Sequence, residues 1–292
     1  MLSLLIPTYN YNITSLVITL QEECSSNSIP FEIIVLDDCS KPGFIELNKN
    51  INTLPHCSFL VNESNLGRTM TRKKLAELAT FDTLLFLDAD VIPVSKDFIK
   101  NYIPYIKNET PVVFGGVSYK DEADNKNATL RLKYGKEREQ QTAQQRTKNP
   151  YGLLFSANLL VSKTIFLENN YSEKNNFYGM DAFFGYMLYK KNIPVVHIEN
   201  PVYHIGLEDN DIFFQKCLSS VKIKKQMFSE KEDVGETNSL LKHYRQLRRY
   251  HLAGAVGFFF KIGEPVLKKM ILSKNPNLFC LDLYRLGYIC SL

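Results

Sequence analysis

The chain has 292 residues, a formal net charge of +4, 45% hydrophobic and 23% charged residues. This is globular composition with length for a sizeable core, and it excludes a disordered or collagenous chain and gives no charge argument for a nucleic-acid partner. Six scattered cysteines without a Cys-x-x-Cys pair exclude ordinary zinc-ligand spacing.

Leu2 to Ile6 is an apolar run that predicts a strand at once. No basic leader or long apolar core precedes it, so no signal peptide is expected and a reducing cytoplasm is the expected setting. Asn12 is placed to cap a helix in which Ile13, Leu16, Val17 and Leu20 follow at helical spacing. Phe31 to Leu36 and Ser58 to Val61 predict strands, and Arg68 to Ala79 predicts a helix. Thr83 to Leu87 and Val112 to Phe114 continue the sheet. Alternation of this kind implies an α/β fold, a mostly parallel sheet with helices on both faces. Lys120 to Pro150 breaks the pattern; it is polar and reads as part solvated helix, part mobile loop. Leu159 to Val161, a helix around Ala182 to Lys190 and a strand from Pro194 to Ile198 complete a domain over residues 1–210.

Residues 211–292 read as a helical extension, with Phe214, Cys217, Leu218 and Val221 on one stripe. Basic clusters stand at 222–225 and 243–251. Phe258-Phe259-Phe260 with Lys261, Lys268 and Lys269 reads either as an interfacial helix on an anionic membrane or as a stripe packed on protein. Gly254, Gly257, Gly263 and Pro265 weaken a continuous helix there. No run of about 18 uncharged apolar residues predicts a spanning helix.

The polar signals gather at strand ends. The first strand runs into Pro7-Thr8-Tyr9-Asn10, the second into Asp37-Asp38-Cys39-Ser40, and the fourth into Asp88-Ala89-Asp90; a loop after the third reads Asn65-Leu66-Gly67-Arg68, with Arg72 beyond it. In an α/β sheet these ends converge on one edge, where ligands bind. Each piece alone is an ordinary turn, because Asn, Asp, Gly and Pro are turn formers. Two carboxylates one residue apart after a buried strand are costly without a partner, and a hard divalent cation such as Mg²⁺ or Mn²⁺ suits them.

With Ile6-Pro-Thr-Tyr-Asn10, Val35-Leu-Asp-Asp-Cys-Ser40, Asn65-Leu-Gly67 with Arg72, Phe86-Leu-Asp-Ala-Asp90 and Gly179-Met-Asp181, the first 205 or so residues resemble the inverting family 2 glycosyltransferases of GT-A fold, of the bacterial surface-polysaccharide type. The resemblance implies a GT-A-type, Rossmann-like mixed sheet. It implies a nucleoside-diphosphate sugar donor, UDP-linked by preference, and transfer of one hexosyl unit to a hydroxyl of a polysaccharide or lipid-linked oligosaccharide. Pro7, Thr8, Tyr9, Asp38, Asn65, Gly67, Arg72, Asp88 and Ala89 would surround the donor. Asp90, Asp88 and His204 would hold Mn²⁺ or Mg²⁺. Asp181 would be the general base, with Met180 standing where the family commonly has a further acid. Ser156 to Asn158, Gly115 and Gly116 fall where the family meets sugars. A cytoplasmic location is implied, with contact at the inner face of the cell membrane as one reading of the tail. His204 reads equally as an ordinary core or surface histidine; the alternative for Asp38 is a helix cap after the second strand, and the donor-site reading is preferred.

The chain has no Trp, so the Gln/Arg-x-x-Arg-Trp motif of processive synthases is impossible, and a single addition is expected. A nucleotidyltransferase would want a Gly-rich loop where Pro7 to Asn10 stands. A dehydrogenase would want Gly-x-Gly-x-x-Gly there. A non-catalytic sugar-nucleotide-binding subunit is the remaining alternative.

Overall fold

The computed structural model describes residues 1–121, 125–171, 179–228, 231 and 233–292. Its elements run β1 (Leu2–Thr8), α1 (Thr14–Ser26), β2 (Phe31–Asp37), α2 (Pro42–Asn48), β3 (Cys57–Val61), α3 (Arg68–Leu78), β4 (Thr83–Leu87), β5 (Val91–Pro93), α4 (Ile103–Lys107), β6 (Val112–Phe114) and β7 (Val117–Ser118). Then follow α5 (Thr129–Tyr134), α6 (Ala143–Thr147), β8 (Asn158–Ser162), α7 (Lys163–Asn169), α8 (Asp181–Lys190), β9 (Val196–His197) and β10 (Val202–His204). The chain closes with α9 (Asn210–Phe228), α10 (Ser239–Arg249), α11 (Ala253–Ile271) and α12 (Leu278–Ser291).

Two compact units result. The first comprises Met1–Ser118, Gln141–Asn176 and Phe183–Gly206; the second comprises Tyr119–Gln140, Phe177–Ala182 and Leu207–Leu292. The first holds a seven-stranded sheet in the order β3-β2-β1-β4-β8-β6-β9. β1 to β4 are parallel, β8 runs antiparallel to both β4 and β6, and β9 is parallel to β6. A small sheet, β5-β10-β7, stands beside it. The expected α/β class with a mixed, mostly parallel sheet is therefore present.

The strands form where Leu, Ile, Val and Phe run unbroken, as doubly covered strands require. Side chains alternate across the pleat. Leu5, Ile34, Leu36, Leu84 and Phe86 join Leu75, Phe166, Phe184 and Leu188 in one core. Leu4, Ile6, Ile33 and Val35, equally buried, turn to the other face. Helix α1 starts two residues after Asn12, whose Oδ1 accepts from the Thr14 amide at 3.1 Å. The Ile13 amide is taken by Asn48 Oδ1, also at 3.1 Å.

The polar stretch after residue 120 is not a solvated loop where it is described; residues 122–124 lie outside the described residues. In the second unit, Arg131 is buried against Glu139 at 3.0 Å and lies over the Tyr119 and Phe213 rings. In the first, a Thr142–Gln145 capping box starts α6, and Arg146 is buried over the Phe114 ring, donating to Ile198 O at 2.7 Å. The arginines are buried because each finds acceptors and an aromatic face, which local composition does not reveal.

In the second unit, Phe213, Phe214, Phe260, Leu281 and Tyr284 build a core of their own. Helix α11 is continuous through Pro265 despite its glycines. A Cβ on Gly257 would stand 2.9 Å from Cys290 O, and one on Gly287 would stand 2.6 Å from Phe260 Cβ. Glycine here permits close antiparallel packing of α11 on α12, and that packing outweighs the propensity cost. Among the described residues no helix is long and apolar enough to cross a membrane, and the six cysteines are free.

Candidate active site

Because β3, β2, β1 and β4 are adjacent and parallel, their carboxyl ends meet along one edge. Thr8, Asp37 and Leu87 are the last residues of β1, β2 and β4. Thr8 is buried, and its carbonyl accepts from the Asp38 amide at 2.8 Å. Tyr9 is exposed. Asn10 and Cys39 lie in the left-handed backbone region, φ 51 and φ 64, at the turns leaving β1 and β2. Left-handed conformations are tolerated by Asn and cost a residue such as Cys on the order of 1 kcal/mol. Ser40 Oγ accepts from the Asn10 amide at 2.7 Å and donates to Asp37 Oδ2 at 2.6 Å, which stitches the two turns together.

Asp38 is buried and engaged by the next loop. Its Oδ1 accepts from Leu66 N at 2.8 Å and Asn62 Nδ2 at 3.0 Å, and its Oδ2 accepts from Gly67 N at 2.8 Å. Its carbonyl accepts from Asn65 Nδ2 at 3.1 Å. Gly67, at φ 80, lets the chain turn into α3. One carboxylate thus sets the loop that carries Asn65, Gly67 and Arg68, while Oδ2 keeps acceptor capacity for a further donor.

The two aspartates after β4 differ sharply. Asp88 is buried, and Arg72 Nη2 donates to its Oδ1 as a tight ion pair. Burial raises its pKa, but Arg72, Arg68 and His204 overcome that and hold the carboxyl down at about 2. Arg72 Nε is buried with no hydrogen-bond partner among the described residues. Asp90 is pushed the other way: burial raises its pKa, the Asp88 charge adds to this, and His204 and Arg68 oppose it. His204 Nε2 lies 3.4 Å from Asp90 Oδ2. The antiparallel register of β10 on β5 pairs His204 with Val91, which brings the ring beside Asp90. The Ile205 amide donates to Asp90 O at 2.9 Å. A Cβ on Gly206 would stand 2.8 Å from Asp90 Cβ and Cγ, so only glycine leaves that carboxylate its place.

Asp90 and His204 form an acid–imidazole pair whose partly buried carboxylate lacks the guanidinium pairing that Asp88 has. Hard oxygen plus imidazole nitrogen suits a divalent cation. Among the described residues no cluster of three or more His, Cys, Asp or Glu stands ready for a metal. Any cation here would complete its shell with substrate oxygens and water, as Mg²⁺ commonly does.

Two residues of this edge gain a role only from the structure. Tyr11 is half-buried, and burial followed by the Asp90 charge raises its phenol pKa. Arg68, exposed in the first turn of α3, acts on both aspartates. Its place right after the Asn65-Leu66-Gly67 turn was the available signal.

Other candidates have structural partners. Asn158 Nδ2 donates to Gly116 O and Asn200 O at 2.8 Å each, and its Oδ1 accepts from Tyr102 Oη at 2.7 Å. The space beside Gly115 is filled by Tyr102, Asn158 and Asn200, and that beside Gly116 by Arg146, so neither glycine opens room for a sugar. Asp181 is the first residue of α8 and is partly exposed, following the buried Met180 and Gly179 at φ 89. It belongs to the second unit.

Residues 3–167 match the family described as glycosyl transferase family 2. An uncharacterized glycosyltransferase of Haemophilus influenzae is 36% identical over 92 residues, 31% of this chain and 29% of that protein. The match thus spans less than a third of that curated relative. Among solved structures, the mannosyltransferase PcManGT of Pyrobaculum calidifontis, in complex with GDP-Man and Mn²⁺, aligns with TM-score 0.63 at 11% identity over 99% of this chain and 85% of that one. S. aureus TarS aligns with TM-score 0.54 at 15% identity over 97% of this chain and 54% of that one. TarS 1-349 in complex with UDP-GlcNAc aligns with TM-score 0.53 at 15% identity over 99% and 90%. At these identities the likeness establishes the GT-A-like fold. With more than half of its length matched to it, the chain belongs to glycosyl transferase family 2.

Proposed function

We propose that the protein is a metal-dependent, inverting glycosyltransferase that moves one hexosyl unit from a nucleoside-diphosphate sugar, by preference UDP-linked, to a hydroxyl acceptor. The acceptor is a surface polysaccharide or a lipid-linked oligosaccharide, reached from the cytoplasmic side with the enzyme peripheral to the membrane. The observation that carries the reading is the divergence of Asp88 and Asp90 at one strand end, one neutralised by Arg72 and the other facing His204. Relatives of the same fold in complex with GDP-Man and Mn²⁺ and with UDP-GlcNAc support the donor class.

In this reading Thr8, Asp38 and the Asn65–Gly67 turn hold the nucleoside, with the spare capacity of Asp38 Oδ2 accepting from the base. Arg68, being exposed, meets the diphosphate. Arg72 acts one layer back, keeping Asp88 ionised. Asp90 and His204 hold the cation, which when bound would neutralise charge on the departing nucleoside diphosphate. Asp181 takes the proton of the acceptor hydroxyl, supported by its match to the family position and by its place in the first turn of α8, where a helix favours negative charge. The acceptor oxygen bonds to the anomeric carbon as the bond to the diphosphate oxygen breaks, so a single displacement inverts the centre.

The test is thermal stabilisation by UDP, GDP, CMP and NAD, each with and without Mn²⁺, in wild type and Asp90→Ala. A rise with UDP or GDP that needs Mn²⁺ and is lost in the variant is expected; ligand at about a hundred times Kd is worth roughly 2.7 kcal/mol. Donor hydrolysis and transfer are then followed. Nucleotide binding without turnover would favour the non-catalytic subunit, and unchanged turnover in Asp90→Ala would sink the metal assignment.

A further inference from the structure

The second unit carries an apolar surface that its own core does not use. On α11, Phe258, Phe259, Ile262, Val266 and Met270 recur at one- and four-residue spacings, so they share one side of the helix. They are 43–68% exposed. The packing side is a different one: Phe260 and Ile271 are buried, and Gly257 meets the end of α12. Helix α12 adds Phe279, 66% exposed, with Leu283 one turn on. Clustered exposure of this size on a folded protein marks an interaction surface.

The charges around it select the partner. Lys261, Lys268 and Lys269 are exposed on α11. The acids of the two helices are occupied: Glu264 accepts from Tyr284 Oη at 2.5 Å, and Asp282 accepts from Arg138 at 2.8 Å. A two-fold dimer through this face would set the lysines near their own copies with no acid to meet them, because such an interface is self-complementary. An anionic lipid surface answers both features, taking the aromatic and aliphatic groups at the headgroup–acyl boundary and the ammonium groups among phosphates.

We propose that the α11–α12 hairpin is a docking surface for an anionic phospholipid bilayer, lying in its interface and not crossing it. This deepens the membrane location given above but rests on the second unit's own surface, so it is separable from the donor site. The experiment is flotation of the full chain with vesicles of phosphatidylcholine alone and of equal parts phosphatidylcholine and phosphatidylglycerol, at low and high salt. Binding only to the phosphatidylglycerol vesicles, weakened by salt, is expected. Phe258→Ser with Phe259→Ser, and separately Lys268→Gln with Lys269→Gln, should each lower the bound fraction roughly tenfold with an unchanged circular-dichroism melt and unchanged stabilisation by UDP and Mn²⁺. Failure of the wild-type chain to float, or equal flotation with phosphatidylcholine alone, overturns the proposal, and a dimer in light scattering that the phenylalanine pair disperses would assign the face to a second copy. Flotation without nucleotide stabilisation would leave this inference standing and remove the transferase reading.

Discussion

Gly206→Ala puts the site geometry to the sharpest test. Gly206 is not among the glycines at positive φ, which are Gly67, Gly116 and Gly179. Alanine therefore meets no backbone penalty, and its effect is steric. The new methyl carbon would stand 2.8 Å from Asp90 Cβ and Cγ, where carbon pairs settle at about 3.5–4 Å. The carboxylate must give way by about 1 Å, since the Ile205 amide bond to Asp90 O at 2.9 Å holds the backbones together. A shift of about 1 Å in a positioned group can cost about 10²-fold in rate. Loss of unfolded-state freedom from Gly to Ala stabilises by about 0.4–1 kcal/mol and offsets part of the strain, so the melting temperature should move by only a few degrees. The assay is kcat/KM for donor consumption, with UDP-induced stabilisation measured across a Mn²⁺ titration. Activity should fall about a hundredfold, and the Mn²⁺ midpoint should rise. A variant with wild-type kcat/KM and an unchanged Mn²⁺ midpoint would refute the placement of Asp90 at the reacting centre.

Asp181→Asn should leave donor binding intact and slow transfer by about 10²–10⁴-fold, the usual worth of a general base; a fully active variant would move the base elsewhere, although Glu199 already accepts from the Ala143 amide and Glu208 pairs with Lys216. Asn158→Ala removes two donated bonds and the acceptor of the buried Tyr102 hydroxyl, and should cost about 2–4 kcal/mol by denaturant titration; a loss under 1 kcal/mol would contradict the buried network. Burial, with Arg285 nearby, lowers the Lys224 pKa to about 7. The folded state then binds fewer protons than the unfolded one between pH 7 and the ordinary lysine value, so stability rises with pH across that window. Lys224→Met should flatten the rise and add on the order of 2 kcal/mol near neutral pH, after allowance for the residue's partial exposure. Arg68→Ala should raise the donor KM about tenfold with little change in stability, as expected for an exposed group that meets ligand, whereas Arg72→Ala should unfold the protein more readily by about 3–5 kcal/mol because Asp88 would be left buried and unpaired.

The local pattern of apolar residues determined the strands of the first unit. Leu2 to Ile6, Phe31 to Leu36 and Thr83 to Leu87 are runs that only a doubly covered sheet accommodates, and β1, β2 and β4 fall there. Parallel pairing then made it arithmetic that Thr8, Asp38, Asp88 and Asp90 would share one edge. What each does there was not legible. Arg72 and Asp88 are sixteen positions apart, and only the packing of α3 on β1 and β2 of the sheet turns an apparent solvated helix residue into the counter-ion of a buried acid. Gly206 clears Asp90 across more than a hundred residues, through the pairing of β10 with β5. The polar stretch that holds Arg131 and Arg146 reads as solvated because composition is local, whereas the acceptors and rings that let an arginine be buried come from distant strands and helices. The phenylalanine run is divided in the same way: Phe260 packs on α12 while Phe258 and Phe259 face outward. Periodicity reports which residues share a side; which side is covered depends on what the rest of the chain brings to it, and that is decided by tertiary contacts alone.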